Sequence, residues 1–317
     1  MCLFLFCGSS IISASYLFEG QWGNYGTGVG QFKTPRGLAI APSGKIYVVD
    51  YGNDRIQYFT STGSYLGKWG APGDGSGLFN LPCGIAVAPN GYVYVADTNN
   101  HRVQYFTPNG VYMGKWGTNG SADGQFKYLQ GIAINPAGNR VYVADTDNHR
   151  IQYFNLSGIY QGKWGTQGNG NGQFQAPSSV EVAPNGNVYV TDTNNHRVEY
   201  FTATGSYLGK WGAYGNTDGL FEYPEDVTVD SVPWVLVTDR LNNRVQYFTE
   251  SGDFLGKWGV VGNAPGQFRE PWGIDTTPTG THVYVVDKNN SRIEYFKRQE
   301  TEVEPSSVGM IRSIFIE

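Results

Sequence analysis

Six copies of one unit, four strand-like segments in each copy, and a strand that is missing from the last copy but present before the first predict an all-β chain folded as a six-bladed β-propeller. The unit is marked by the Asp that ends its "VxD" stretch, at Asp50, Asp97, Asp145, Asp192, Asp239 and Asp287, always 47 or 48 residues apart. Blades of about 40 to 50 residues and four strands have this period, and a blade buries both faces only by stacking on its neighbours.

Each element can be read in turn from "GIAVAPNGYVYVADTNNHRVQYFTPNGVYMGKWG", Gly84 to Gly117. Strand a is GIAVA, b is YVYVAD, c is RVQYF and d is VYMGKW. "PNG" separates a from b and c from d, and Asn-Gly accepts the positive φ angles that tight hairpin turns need. The unit is therefore a four-stranded antiparallel meander. The last copy stops after "RIEYF", Arg292 to Phe296, without a "GKWG" strand, whereas "LFEGQWG", Leu17 to Gly23, precedes the first copy. Joining the two completes the sixth blade, closes the ring and leaves no open edge.

The composition agrees. Aromatic residues make up 15% of the 317 positions, and 44 are glycine, as in many short strands joined by turns. A hydrophobic content of 40% supplies a continuous core. The net charge of −5 speaks against nucleic acid, whose phosphates call for clustered Lys and Arg. Cys2, Cys7 and Cys83 have no CxxC spacing and make neither a disulfide framework nor a thiolate zinc site.

Residues 1–14, "MCLFLFCGSSIISA", are an apolar run followed by small residues, as in a secretory signal, although the positive start of such a signal is missing. A buried N-terminal strand and a truncated start are the alternatives. The expectation is a secreted or cell-surface protein, with a cytoplasmic location left open. No segment approaches the ~20 apolar residues of a membrane span. The propeller is placed at residues 15–296, and 297–317 form a charged, then Pro- and Ser-containing, then apolar tail of undecided role.

"YVADTNNHRVQYF", following "LPCGIAVAPNG", resembles the NHL repeat, and six tandem copies resemble six-bladed NHL propellers over most of the chain. The resemblance implies a fold more than an activity, since the family includes binding scaffolds, a few enzymes, and RNA-binding and ubiquitin-ligase-associated domains. Neither a RING-type Cys/His module nor a basic stripe accompanies the repeats here.

Asp and Arg recur in every copy, as Asp50 with Arg55, Asp97 with Arg102, Asp145 with Arg150, Asp192 with Arg197, Asp239 with Arg244, and Asp287 with Arg292. They flank the loop from b to c, and a bond between them would pin that hairpin. They are read as structural pairs, and no catalytic residue is assigned. Histidine precedes the Arg only at His101, His149 and His196, where other copies carry Asp54, Asn243 and Ser291, so the position reads as a polar loop contact. Equivalent residues of neighbouring blades stand about 10 Å apart, too far to share a zinc ion whose bonds are about 2.1 Å. The amidating lyases of related architecture hold zinc with channel histidines, and no inner strand here carries one. Trp22, Trp69, Trp116, Trp164, Trp211 and Trp258 recur at the end of strand d and read as packing residues first, with a sugar-stacking surface as the lesser reading.

Localised function is expected where the repeat breaks. The middle of strand a reads Ala39, Ala86, Ala133, Glu181, Thr228, Asp275, and its first position Gly37, Gly84, Gly131, Ser179, Asp226, Gly273. Alternation sends these toward the central channel and their apolar neighbours between sheets. Glu181, Asp226 and Asp275 are then three carboxylates on the channel side, flanked by Glu225 and Asp230, with Asn135 adding an amide oxygen. They suggest a Ca²⁺-type site, a hard cation taking 6 to 8 oxygens, or simply a hydrated acidic channel. Lactonases of six-bladed propeller fold hold a comparable metal, though their full ligand pattern is not found.

The reading is a non-enzymatic scaffold requiring no cofactor, which engages a protein or glycan through the face carrying the b–c and d–a loops. Asn99, His101, Asp147, His149, Asn194 and His196 are its candidate contacts. The competing reading is a calcium-type hydrolase or lyase with its site in the channel.

Overall fold

The computed structural model describes residues 11–303. The first ten residues of the apolar N-terminal segment and residues 304–317 of the tail lie outside that range. Six four-stranded antiparallel sheets form the six blades of a closed ring. Blade one comprises β2 (Leu38–Ile40), β3 (Ile46–Asp50), β4 (Arg55–Phe59) and β5 (Tyr65–Trp69), in that spatial order. The same order repeats from Ile85 to Trp116, Ile132 to Trp164, Pro177 to Trp211 and Pro224 to Trp258. A short 3-10 turn joins b to c in five blades, beginning at Tyr51, Thr98, Thr146, Thr193 and Lys288.

Blade six is assembled from both ends of the chain. Pro271–Thr276, His282–Asp287 and Arg292–Val303 supply a, b and c, and β1 (Ile11–Trp22) supplies d. The register runs from Trp22 opposite Ile293 to Phe18 opposite Phe296, with a bulge at Glu19, between Phe18 and Gly20. It then continues to Ile11 opposite Val303, beyond the limits that the repeat itself marks. Ring closure by the N-terminal strand is therefore a feature of the fold.

The core lies between blades. One cluster joins Tyr47, Val49 and Ile56 of blade one to Phe79, Val93 and Phe106 of blade two, and equivalent clusters fill the other junctions. The "GKW" stretch has a double purpose. Its glycine lies beneath a strand-c tyrosine, so a Cβ on Gly67 would come within 2.3 Å of the Tyr58 hydroxyl. Its tryptophan packs on the c–d turn of the next blade, where Gly110 adopts φ +85° against Trp69. The six tryptophans are thus packing residues, in contact with strand-c tyrosines and phenylalanines at ring separations such as 5.8 Å for Tyr58 and 5.6 Å for Phe106 around Trp69.

Candidate functional site

The six Asp–Arg pairs are all formed, with Arg Nε 2.7 to 2.8 Å from the carboxylate. Both partners are buried in every pair. In blade one Asp50 accepts the Lys33 backbone N–H on Oδ1, and Arg55 Nε, Asn53 Nδ2 and Gln57 Nε2 on Oδ2. Arg55 then spends its remaining donors on the carbonyls of Thr27, Gly28 and Gln31. The pair therefore fastens the b–c hairpin to the d–a loop that precedes its own blade, a longer reach than the hairpin alone. The recurring Asn53 and Gln57, both visible in the repeat, complete the staple.

The three histidines have the same explanation. Each takes a left-handed backbone conformation, at φ 53°, 53° and 56°. Their Nδ1 atoms accept backbone N–H groups of the next blade, at Tyr128, Ala176 and Tyr223, over 3.0 to 3.1 Å. Asp54 and Asn243 do likewise for Leu81 and Glu270. An acceptor oxygen or nitrogen in this place ties adjacent blades. Of the candidate contacts on this face, Asp147 and Asn194 are exposed, Asn99 is half-buried beside Asn80, and the histidines are half-buried in these bonds.

The inner strands surround a central cavity of about 220 Å³ lined by Ala39, Ala86, Ala133, Glu181, Thr228 and Asp275 among others. Glu181, Asp226 and Asp275 do line it together. The two aspartates are already engaged. Asp226 accepts from Ser179 Oγ and the Val227 N–H on one oxygen and from the Ile274 N–H of blade six on the other, at 2.9 Å. Asp275 accepts from Thr276 N and Thr228 Oγ1 on one oxygen and from the Ile40 N–H of blade one on the other, at 2.8 Å. An inner strand is a sheet edge with unpaired N–H groups, and these carboxylates close two such gaps between blades. Burial pushes Asp226 up to about 6 and Asp275 to about 7, and burial with the two neighbouring aspartates raises Glu181 well above the usual carboxylate range. Glu181 makes no cross-blade bond of this kind and faces the cavity.

The flanking residues belong elsewhere. Glu225 pairs with Arg240. Asp230 caps its a–b turn through the N–H groups of Val232 and Trp234 and pairs with Arg298. Asn135 Oδ1 is held in its own turn by the N–H groups of Asn139 and Arg140. Among the described residues no group of three or more His, Cys, Asp or Glu side chains could hold a metal ion.

What the repeat pattern does not mark is the mouth of the channel on the loop face. The residue just before strand a's first position is Arg36, Cys83, Gln130, Ser178, Glu225 and Trp272 around the ring. Trp272 is surrounded by three cations, with Arg36 Cζ at 4.4 Å, Lys288 Nζ at 4.5 Å and Arg240 Cζ at 5.3 Å from its ring centre. The available signal is the chemical variety of one position that follows Pro in five blades and precedes Gly in four.

Closed six-bladed geometry, tandem repeats and stapled loops define a repeat propeller. The NHL repeat family model matches residues 32–59, 79–106, 126–154 and 174–201. The chain is an NHL-repeat six-bladed propeller protein. No curated protein matches it. Among solved structures it is similar to a streptogramin B lyase, with 13% identity, TM-score 0.61, 92% of this chain and 88% of that one covered. A virginiamycin B lyase from Staphylococcus aureus aligns with 14% identity, TM-score 0.59 and coverage of 92% and 89%. A protein of unknown function from Bacteroides thetaiotaomicron aligns with 17% identity, TM-score 0.67 and coverage of 91% and 76%. At such identities the likeness is one of fold. Among the described residues no helix is long and apolar enough to cross a membrane.

Proposed function

We propose that the protein is a binding scaffold that engages a protein or glycan through the face of b–c and d–a loops. The observation that carries this reading is the sixfold staple. Each buried Arg holds carbonyls of a d–a loop, three of them in blades one to four and six. Loops of unequal sequence are thereby displayed on a fixed frame, the arrangement in which recognition loops work. Export, read from the apolar N-terminal run, belongs to the same proposal. The test is recovery of partners by immobilised wild type and by the exposed charge reversals Asp147→Lys, Lys127→Glu and Arg269→Glu. Reduced recovery by at least one variant supports the reading, and equal recovery by all of them sinks it.

A second reading, a cation-dependent hydrolase or lyase acting in the channel, is favoured by Glu181, whose carboxyl faces the 220 Å³ cavity. Two of the similar structures are named as lyases. Turnover of ester or lactone substrates that disappears in Glu181→Ala would support it, and activity indifferent to that change would not.

A further inference from the structure

The departures from sixfold symmetry are not scattered over the loop face. They fall on one half of it. The innermost ring reads Cys83, Gln130 and Ser178 over blades two, three and four, but Glu225, Trp272 and Arg36 over blades five, six and one. The residue following the staple aspartate reads Thr98, Thr146 and Thr193 over the first three, but Arg240, Lys288 and Tyr51 over the others.

A third position, on the d–a loops, divides the same way. Its residues pair by an isolated bridge with the loop phenylalanine, which fixes their equivalence in all six blades. Pro72, Asn119 and Gln167 belong to blades two to four, and Tyr214, Val261 and Tyr25 to blades five, six and one. The last three are exposed by 66%, 67% and 68%. Val260 and Val29 add to the same loops, at 59% and 57%. On the d–a loops of blades two and three Leu78 and Tyr128 are exposed by 36% and 47%, so the most exposed apolar side chains of these loops, though not all of them, gather in one sector, and such a concentration marks an interaction site.

Three cations, Arg36, Arg240 and Lys288, gather around Trp272 at the centre, on a protein whose net charge is −5. Arg240 faces Glu225, and Lys288 faces Glu270 at 3.0 Å. Arg36 forms no direct ion pair among the described residues, although the Glu225 carboxylate acts on it from nearby. Its guanidinium lies 3.6 Å from the Tyr51 ring centre, with Trp272 also against it and Cys83 Sγ 3.6 Å from Nη1. Stacked on two aromatic rings, it is held in place before any ligand arrives. A fixed planar guanidinium suits a carboxylate, which it binds through parallel N–H donors. The rim joins the Tyr25 and Tyr214 rings to the aliphatic Val29, Val260 and Val261, and its aliphatic part suits apolar side chains, whereas sugars prefer flat aromatic rings alone.

We propose that the half-face over blades five, six and one is a docking surface for a polypeptide segment that places an Asp or Glu side chain on Arg36 and apolar side chains on the loops of Tyr25, Tyr214 and Val261. This rests on the loop face being the binding face, and it names the sector and the class of partner. Charge complementarity at the centre steers and orients the segment, and the apolar rim supplies the buried area.

The test uses the full chain, immobilised, and a library of random dodecapeptides as the probe. The selected peptides are expected to carry Asp or Glu among apolar residues. They are expected to lose at least tenfold in affinity to Arg36→Glu and to Val261→Asp, and to bind Gln167→Asp like wild type. Val261 is exposed, so its variant leaves the fold intact, and a thermal melt confirms this for both variants. Peptides that bind both variants as well as wild type, but lose affinity to Asp147→Lys, would overturn the sector while sparing the loop-face reading. Selection of no peptide, with oligogalacturonate binding instead, would transfer the site to an acidic glycan and overturn the protein assignment. No binding of either probe would count against both readings.

Discussion

Tyr16 stacks on Trp258, ring centres 4.3 Å apart and planes 25° from parallel. At the other blade junctions this tryptophan face is covered by a glycine of the next c–d turn, as Gly63 covers Trp22 and Gly252 covers Trp211. Blade six has no such turn, because its c and d strands come from opposite ends of the chain. Tyr16 therefore fills the place of the missing turn and locks the closing strand. Truncating it should act on ring closure as a whole. Tyr16→Ala is expected to cost about 3 to 5 kcal/mol, the range for large aromatic deletions in a core. Equilibrium urea denaturation measures this, and a loss below about 1 kcal/mol would show that the strand is held elsewhere.

The strand-c position carrying Gln57, Gln104, Gln152 and Gln246 is Glu199 in blade four and Glu294 in blade six. The amide of Gln57 donates to the Gln31 carbonyl and to Asp50 Oδ2. Glu199 keeps the acceptor bond, from the Gly172 N–H, but its Oε1 has no hydrogen-bond partner. Arg197 Nη2 is 2.6 Å from that oxygen, yet it already donates to the Gly170 and Gln173 carbonyls. A proton on Oε1 restores the missing donor. Burial accordingly pushes both glutamates up to about 7.

The folded state holds these protons between the ordinary glutamate range and about 7, and the unfolded state does not, so stability falls as pH rises through that window. Glu199→Gln is expected to raise stability at pH 8 by roughly 1 to 3 kcal/mol, since each pKa unit is worth about 1.4. At pH 4 it should change little. Thermal melts at the two pH values check this, and an equal effect at both would refute the protonated carboxyl.

Asp97→Asn leaves Arg102 buried beside a neutral amide. Removing one partner of a buried pair costs roughly 3 to 5 kcal/mol. Because Arg102 also holds the carbonyls of Asp74, Gly75 and Leu78, proteolytic nicking should appear first in that loop. Limited proteolysis with mass mapping reads the site, and cleavage elsewhere would separate the pair from the loop.

His196→Asn should be close to neutral, because Asn243 makes the same bond to the Glu270 N–H one blade later. His196→Ala leaves the Tyr223 N–H without its partner and is expected to cost about 1 to 3 kcal/mol. Equal loss in both variants would mean that the ring, not the acceptor atom, is what the position needs.

The blades, the closing strand and the Asp–Arg pairs are legible in the sequence because each rests on a repeat, and a sixfold pattern averages away local ambiguity. The asymmetric features are less so. Asp226 and Asp275 show in the sequence as channel carboxylates, but their bonds to Ile274 and Ile40 depend on where the next blade's inner edge falls. Tyr16 lies outside the repeat, and its partner Trp258 is brought to it only by closure. Arg36 and Trp272 are 236 positions apart in the chain and meet at the mouth because blades one and six are neighbours in the ring.

With recognition proposed for the loop face, the channel aspartates are left as bonds between blades. The most direct measurement is the melting temperature in EDTA and in millimolar calcium, for wild type and for the double variant Glu181→Ala/Asp275→Ala. A ligand that binds only the folded state raises its stability. The expected result is a wild-type melting temperature that is the same in both conditions, with the double variant melting lower in each because the bond to Ile40 is lost. A calcium-dependent rise in wild type that the double variant abolishes would instead place a cation in the channel.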